Sequence, residues 1–249
     1  MMIRHLLLTL LMTLSLTAEE ITIAVAANVS YAIDDLKAAF MAEHPETDVR
    51  VIIGGSGKLT AQIKRGAPFG LFMSANMRYP EALYEAKVAT TLPRVYADGA
   101  LALFSVRARD FSSGIALLSE PQVRTVAVAN PKTAPYGKAA LEAMQKAGVY
   151  EKVRPKLVYG ESIAQTVAYA MTAAEVGVIA KSALYSKKMQ AYREGRNWVS
   201  VDPSLYQPIE QGIVLLAYAQ GKPGYQAFYD FILSEKAQDI FKRYGYLLL

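Results

Sequence analysis

The sequence contains no cysteine in its 249 residues. This absence excludes disulfide bonds, thiolate nucleophiles, iron–sulfur clusters and zinc sites with cysteine ligands. Histidine is almost as scarce, because only His5 and His44 are present. The sequence therefore does not predict a metal site built from several histidines, or a serine hydrolase with a histidine base. Trp198 is the one tryptophan, which argues against an aromatic sugar-binding groove.

The charge of the chain is modest and evenly distributed. The 27 lysines and arginines exceed the 22 aspartates and glutamates, which gives a formal net charge of +5 at pH 7. The tightest basic cluster, Lys187 and Lys188, is too small to predict a nucleic-acid-binding surface. The positive balance suits an anionic ligand but does not identify one.

Residues 1–18, MMIRHLLLTLLMTLSLTA, have the features of a signal peptide. Arg4 supplies the positive region, and the apolar run that follows it is too short to span a bilayer comfortably. Cleavage is predicted after Ala18, or one residue earlier because Leu16 would otherwise occupy an unfavourable position; an uncleaved membrane anchor is the alternative. No later stretch reaches about 18 apolar residues. We therefore expect an exported protein without stable membrane insertion after cleavage.

Strand-like and helix-like segments alternate along the rest of the chain. The strand-like runs are short, apolar and bounded by turn residues, and they comprise residues 21–27, 49–55, 70–75, 101–106, 125–130, 156–160, 176–180 and 213–218. Apolar residues at helical spacing lie between them, as in Ile33, Leu36 and Phe40. A helical tail is predicted from Phe228 to about Tyr244. The alternation predicts an α/β fold with mostly parallel sheets.

The alternation is interrupted near residues 95–106 and again near residues 206–218. Neither segment has a long helix between itself and the adjoining strand-like run, as expected for paired connections between two lobes. A single closed barrel is the alternative. We predict a discontinuous lobe I formed by residues 19–98 and 212–249, a lobe II formed by residues 99–211, and a ligand cleft between them.

Four strand-to-helix junctions are rich in small or hydroxyl residues. In open α/β sheets, ligands bind at the carboxyl ends of strands, where the amino termini of helices direct backbone N–H groups into a crevice. Two junctions belong to each predicted lobe, so they should face one another across the cleft. In chain order, the first to fourth junctions are residues 26–30 (AANVS), 54–57 (GGSG), 130–137 (NPKTAPYG) and 160–163 (GESI).

The polar groups at these junctions are mostly neutral hydrogen-bond donors. Asn28 and Ser56 offer side-chain donors, and Pro135 is placed so that the N–H groups of Tyr136 and Gly137 begin a helix. Neutral donors and helix dipoles can bind a fully ionised oxyanion without a counter-charge. Taken singly, Asn28 could be a helix cap and Ser56 a turn residue. The joint pattern favours a binding site.

The sequence gives an enzymatic alternative little support. Glu161 is the one acid at a junction and could be a general acid or base, but a carboxylate in the first turn also complements the helix dipole. His44 lies in a polar turn far in sequence from every junction. The segment around Gly57 and Lys58 lacks the first glycine and the final Ser or Thr of a phosphate-binding P-loop.

Five segments of the mature chain have a pattern typical of one known family. They are ITIAVAANVSYAIDDL, GGSGKLTAQIKRGAPFGLFMSAN, NPKTAPYGKAAL, VGVIAKSAL and AFYDFILSEKAQDIFKRYGY. On these segments, the chain resembles the periplasmic molybdate-binding proteins of molybdate ABC importers. The resemblance implies a two-lobe, type II periplasmic binding protein fold that closes around one tetrahedral oxyanion.

The resemblance also implies which residues contact the ligand. Side-chain donors would come from Asn28 and Ser56, and the backbone contacts of lobe II would come from Tyr136 and Ile163. Many family members have a serine at the position of Asn28, which is a conservative departure for a donor.

A second departure concerns the end of the strand at residues 176–180. Many family members have a tyrosine there that bonds the oxyanion, whereas this chain has Ala180 followed by Lys181. Either the site uses fewer side-chain donors, or Lys181 approaches the anion.

The expected function is capture of molybdate, and of tungstate, in the periplasm by a monomer that delivers the anion to an ABC permease. Neither catalysis nor a cofactor is expected, and the metal would bind as its oxyanion without direct protein–metal ligands. The alternatives are a sulfate- or phosphate-binding protein, an exported hydrolase that uses Glu161 or Ser56, and a scaffold that binds no ligand.

Overall fold

The computed structural model describes residues 19–247, so the predicted signal peptide lies outside the described residues. The strands are β1 (Glu19–Ala26), β2 (Thr47–Gly54), β3 (Leu71–Met73), β4 (Arg94–Gly99), β5 (Leu101–Phe104), β6 (Val126–Ala129), β7 (Leu157–Gly160), β8 (Val176–Ala180), β9 (Trp198–Ser200) and β10 (Ile209–Leu215). The helices are α1 (Ile33–Glu43), α2 (Ser56–Lys64), α3 (Arg78–Glu85), α4 (Pro135–Lys146), α5 (Tyr150–Val153), α6 (Ile163–Thr172), α7 (Pro223–Ile232) and α8 (Glu235–Arg243). Two 3₁₀ segments, Ala27–Tyr31 and Lys181–Tyr185, also contribute to the candidate site.

The strands form two five-stranded sheets of the same design. The first has the order β2-β1-β3-β10-β4, and the second has the order β7-β6-β8-β5-β9. In each sheet the first three strands are parallel, and the fourth is antiparallel to both of its neighbours. Four strands of each sheet therefore run in one direction, and the prediction of a two-lobe α/β fold is confirmed, with mixed rather than purely parallel sheets.

The chain passes between the sheets at two places. The first passage lies between β4 and β5, around Ala100, and the second lies between β9 and β10. The predicted lobe boundaries fall at the end of β4 and inside β10, where the pairing register shifts between Gln211 and Gly212. Two adjacent passages of this kind are suited to act as a hinge.

Helices cover both faces of the sheets, which explains the apolar character of the central strands. Every residue of β3, β5, β6 and β8 is buried, as expected for strands packed on two sides. In lobe I, Phe40 of α1 packs edge-on against Phe228 of α7, with ring centroids 5.0 Å apart. Among the helices of residues 19–247, none has the length and apolar character needed to cross a membrane.

Two details of the predicted secondary structure were wrong. The helical tail is two helices, α7 and α8, and the side chain of Ser234 accepts a hydrogen bond from the N–H of Ala237 to start the second. Strands β4 and β9 were not predicted as separate strands. Each is an edge strand that pairs antiparallel with its one neighbour, β4 with β10 and β9 with β5. Strand β9 has only three residues, too few for a period-two pattern to be recognised.

Candidate functional site

The first two junctions lie side by side because β1 and β2 are parallel and in register. Ala26 is paired with Gly54 at their carboxyl ends, so Asn28 and Ser56 follow at the same edge of the sheet. Strand β3 ends beside β1, and the N–H of Ala75 just beyond it donates a 3.0 Å hydrogen bond to Ser56 Oγ. This contact fixes the Ser56 side chain and leaves its hydroxyl hydrogen available for donation.

The third and fourth junctions are neighbours for the same reason. Ala129 of β6 is paired with Gly160 of β7, and helices α4 and α6 begin shortly after these strands. Tyr136 and Ile163 lie in the first turns of these helices, where backbone N–H groups have no acceptor within the helix. The prediction for Gly137 needs correction, because its N–H donates to the carbonyl of Ala134 at 3.0 Å.

Contacts across the cleft show that the second junction faces the third and the fourth. Tyr79 OH donates to the carbonyl oxygen of Thr133 at 3.2 Å, which joins α3 of lobe I to the third junction. A Cβ added at Gly57 would lie 3.1 Å from that same oxygen, and one added at Gly55 would lie 3.3 Å from the carbonyl oxygen of Glu161. The glycines of the second junction therefore allow the lobes to approach closely.

The structure buries all four predicted contact residues. Relative exposure is 0% for Asn28, 2% for Ser56, 1% for Tyr136 and 4% for Ile163. One cluster of buried apolar residues contains Ala27 and Ala75 from the edge of the first sheet together with Tyr136 and Ile163. Asn28 is adjacent to Ala27, and Ser56 is hydrogen-bonded to Ala75, so all four positions lie in or beside this buried cluster. Their role as ligand contacts stays a prediction.

The buried polar side chains of residues 19–247 are all uncharged. They include Asn28, Ser56, Ser182 and Gln211, and they supply dipoles rather than ionic charges. Tyrosine hydroxyls near the site are also neutral, because burial raises the pKa of Tyr96 and of Tyr136 well above the ordinary value of 10.0. Any anion in this region would be stabilised by hydrogen bonds and helix dipoles.

The Asn28 amide is part of a buried network that sequence reasoning missed. Its Nδ2 donates to Gln211 Oε1 at 2.6 Å and to the Tyr246 hydroxyl at 2.9 Å. Among the described residues, Asn28 Oδ1 has no hydrogen-bond partner. Gln211 stands between the exposed Glu210 and Gly212 in the first half of β10, so no local sequence pattern marked it as a buried residue.

Of the two alternatives at Ala180, the structure bears only on the position of Lys181, and the number of side-chain donors stays a prediction. The Lys181 ammonium lies over the Trp198 ring, 6.0 Å from its centroid, a contact of the cation–π type. The next residue, Ser182, is the one that contacts the first junction, where its Oγ donates to the carbonyl oxygen of Asn28 at 3.1 Å.

A groove of about 640 Å³ lies against the second, third and fourth junctions. Its lining residues are Ile53, Gly54, Gly55, Gly57, Lys58, Asn130, Thr133, Glu161, Ser162 and Gln165, so it includes none of the four predicted contact residues. Glu161 is exposed, and its backbone N–H donates to Gln165 Oε1 at 2.7 Å.

His44 is remote from the site. It caps the carboxyl end of α1 and stacks on Phe40 of that helix, with ring centroids 4.6 Å apart.

Comparisons with known proteins agree with this architecture. The family model described as bacterial extracellular solute-binding protein matches residues 21–247. Molybdate-binding protein ModA of Rhodobacter capsulatus is 39% identical over 245 residues, covering 96% of this chain and 94% of that protein. Molybdate-binding protein ModA of Azotobacter vinelandii is 36% identical, covering 92% and 90%. A solved periplasmic molybdate-binding protein of Azotobacter vinelandii has a TM-score of 0.84 at 26% identity, covering 92% of this chain and 99% of that one.

Proposed function

This chain belongs to the bacterial extracellular solute-binding family that includes the molybdate-binding proteins, and we propose that it captures molybdate outside the cytoplasmic membrane and delivers it to an ABC importer. The observation that carries the proposal is the convergence of four junctions, with Asn28, Ser56, Tyr136 and Ile163 all buried between two lobes. The role is one of binding and release, without a chemical step.

Molybdate would be held by donors from both lobes. Lobe I would contribute the Asn28 amide and the Ser56 hydroxyl, and lobe II would contribute the N–H groups of Tyr136 and Ile163. Because molybdate is a dianion, each hydrogen bond from these neutral, enclosed donors to one of its oxygens is charge-assisted. The helix amino termini at Ser56 and Ile163 add favourable dipoles.

The donor set itself does not distinguish molybdate from sulfate, since both are fully ionised tetrahedral dianions. We propose that the size of the enclosed space makes this distinction, and that tungstate, which has the shape of molybdate, is bound as well. Lobe closure against fixed contacts such as Tyr79 to Thr133 sets the closest distance between the two donor groups.

Hydrogen phosphate is a second candidate, because one observation favours it. A protonated oxyanion needs an acceptor in its site, and Asn28 Oδ1 is a buried acceptor with no partner among residues 19–247. Phosphate binding would use this oxygen directly. Molybdate binding requires the amide nitrogen in its place.

We further propose the molecular context of this function. The mature protein would begin near Glu19, act as a monomer in the periplasm, and divide into lobe I (residues 19–98 and 212–249) and lobe II (residues 99–211). The solved Azotobacter vinelandii structure described as a periplasmic molybdate-binding protein supports the periplasmic placement.

Isothermal titration of the mature protein tests the proposal with molybdate, tungstate, sulfate and phosphate. Saturable one-to-one binding of molybdate and tungstate is expected, and saturation by phosphate alone would favour the second candidate. Ser56→Ala should weaken molybdate binding by about 1.5–3 kcal/mol, the usual effect of a hydrogen bond to a charged group. Ser30→Ala is the matched control, because within residues 19–247 the Ser30 Oγ bonds a local carbonyl, that of Ala27.

A further inference from the structure

Two buried amides form the centre of the hydrogen-bond network behind the candidate site. Asn28 follows β1, Gln211 lies in β10, and both have 0% relative exposure. Asn28 Nδ2 donates to Gln211 Oε1 at 2.6 Å. The pair therefore couples the first junction to the strand beside the chain passage between the lobes.

Three tyrosine hydroxyls form hydrogen bonds with the two amides. Tyr96 OH donates to Gln211 Oε1 at 2.9 Å, and Gln211 Nε2 donates to Tyr136 OH at 3.3 Å. Tyr246 OH accepts from Asn28 Nδ2 and donates to the Asn28 carbonyl oxygen, both at 2.9 Å. In this arrangement both N–H groups of the Asn28 amide donate to other side chains, and its oxygen has no hydrogen-bond partner among residues 19–247.

In the observed orientation the Asn28 amide has no N–H group left to donate to a fully ionised oxyanion. Such an anion accepts hydrogen bonds and donates none, so a carbonyl oxygen directed at it would be repulsive. The same oxygen would suit a protonated oxyanion. The orientation of the Asn28 amide therefore affects which class of anion the site accepts.

Both amides can turn over with the loss of one protein hydrogen bond, the one from Asn28 Nδ2 to the Tyr246 hydroxyl, whose single hydrogen is donated to the Asn28 carbonyl oxygen. After half a turn of each, Gln211 Nε2 would donate to Asn28 Oδ1 and to Tyr96 OH, and the Tyr96 hydroxyl would donate to the carbonyl of Ser74, which lies 3.3 Å away. Tyr136 OH would donate to Gln211 Oε1, since a hydroxyl can be donor or acceptor. Asn28 Nδ2 would then present two free N–H groups to the anion.

We propose that Gln211 is a positioning residue whose amide turns together with that of Asn28 when a fully ionised oxyanion binds. This inference rests on the proposed function. In the turned state Gln211 must donate to Asn28, so the side chain at position 211 decides whether the first junction offers a donor. The titratable groups that face the pair, the hydroxyls of Tyr96, Tyr136 and Tyr246, keep their protons at neutral pH.

Gln211→Glu tests the need for a donor with almost no change in shape. An ionised carboxylate only accepts hydrogen bonds, whereas a carboxylic acid can also donate one. Molybdate affinity of the variant should fall by about tenfold per pH unit once the new carboxyl ionises, while the affinity of the original protein stays flat. Equal pH profiles for the two proteins, with both folded by circular dichroism, would overturn the inference.

A double-mutant cycle separates positioning from general damage. Asn28→Ser replaces the amide by a hydroxyl that can donate without turning over, and its own molybdate affinity is the reference for the second half of the cycle. Gln211→Met should cost about tenfold in affinity in the original protein and less than about twofold in the Asn28→Ser background. Equal losses in both backgrounds would contradict the coupling.

The same titrations distinguish this inference from the proposed function. If the original protein binds molybdate but shows no coupling between Asn28 and Gln211, the inference alone fails. If the original protein does not bind molybdate at all, both the proposed function and the inference fail.

Discussion

The hydroxyl of Ser182 donates a 3.1 Å hydrogen bond to the backbone carbonyl of Asn28, and both residues are buried. Ser182 belongs to lobe II and Asn28 to lobe I, so the bond exists only when the lobes are together. The bond holds the main chain of Asn28, whose side chain is proposed to contact the anion. Closing the lobes therefore also fixes the backbone of the first junction.

Ser182→Ala should weaken anion binding by opening this link. The Asn28 carbonyl keeps the Tyr246 hydroxyl as a donor, so the loss should be about 1 kcal/mol, or roughly fivefold in affinity. The melting temperature without ligand should hardly change, because neither lobe loses a core contact. Titration calorimetry measures the first quantity and scanning calorimetry the second.

Ser186→Ala is the matched control for this prediction. Its hydroxyl donates at 2.7 Å to the carbonyl of Ala183 within the same stretch of chain and does not reach lobe I. An affinity loss as large as that of Ser182→Ala would show that the effect is local to this segment and unrelated to closure.

Gly57→Ala should separate stability from affinity. The added methyl group would meet the Tyr79 hydroxyl at 2.9 Å and the Thr133 carbonyl oxygen at 3.1 Å, which holds the lobes apart. Alanine also favours helix over glycine by up to about 1 kcal/mol. We expect affinity for molybdate to fall about tenfold while the ligand-free melting temperature stays level or rises. Unchanged affinity would show that the close approach of Gly57 to Thr133 is not needed for binding.

The sequence was sufficient to predict that the first two junctions lie side by side, but not to describe the contacts around them. Parallel strands with small residues at their carboxyl ends predicted that Asn28 and Ser56 would follow at the same edge of the sheet. The sequence could not reveal that Gln211 and Tyr246, at separations of 183 and 218 residues from Asn28, would hold its amide. Such contacts depend on how the chain crosses back into lobe I, and local patterns do not report that.

Alkaline pH should destabilise the protein through its buried tyrosines. Burial raises the pKa of Tyr96, Tyr136 and Tyr246 above the ordinary value of 10.0. The unfolded chain therefore releases these protons first, so stability is complete below about pH 10 and is lost as the pH rises further, by about 1.4 kcal/mol per tyrosine per pH unit. Melting temperatures measured across this range should fall steeply. A flat profile, with phenolate absorbance appearing at the ordinary pH, would contradict the burial.

Glu161→Gln should leave molybdate binding within about twofold of the original protein. Glu161 is an exposed residue of the groove, and its backbone, rather than its carboxylate, makes the local hydrogen bond to Gln165. A large loss of affinity would show that the groove, and not the buried junctions, is the binding site. Titration of both proteins under the same buffer conditions makes the comparison.

The position of the anion itself is the most direct test of the account. A crystal of the mature protein grown with molybdate, and measured at the molybdenum absorption edge, gives the position of the metal from its anomalous signal. We predict one peak between the lobes, with its oxygens in hydrogen-bond contact with the Asn28 amide, Ser56 Oγ and the N–H groups of Tyr136 and Ile163. A peak in the groove beside Lys58 and Glu161, or no peak next to the four buried residues, would contradict the account.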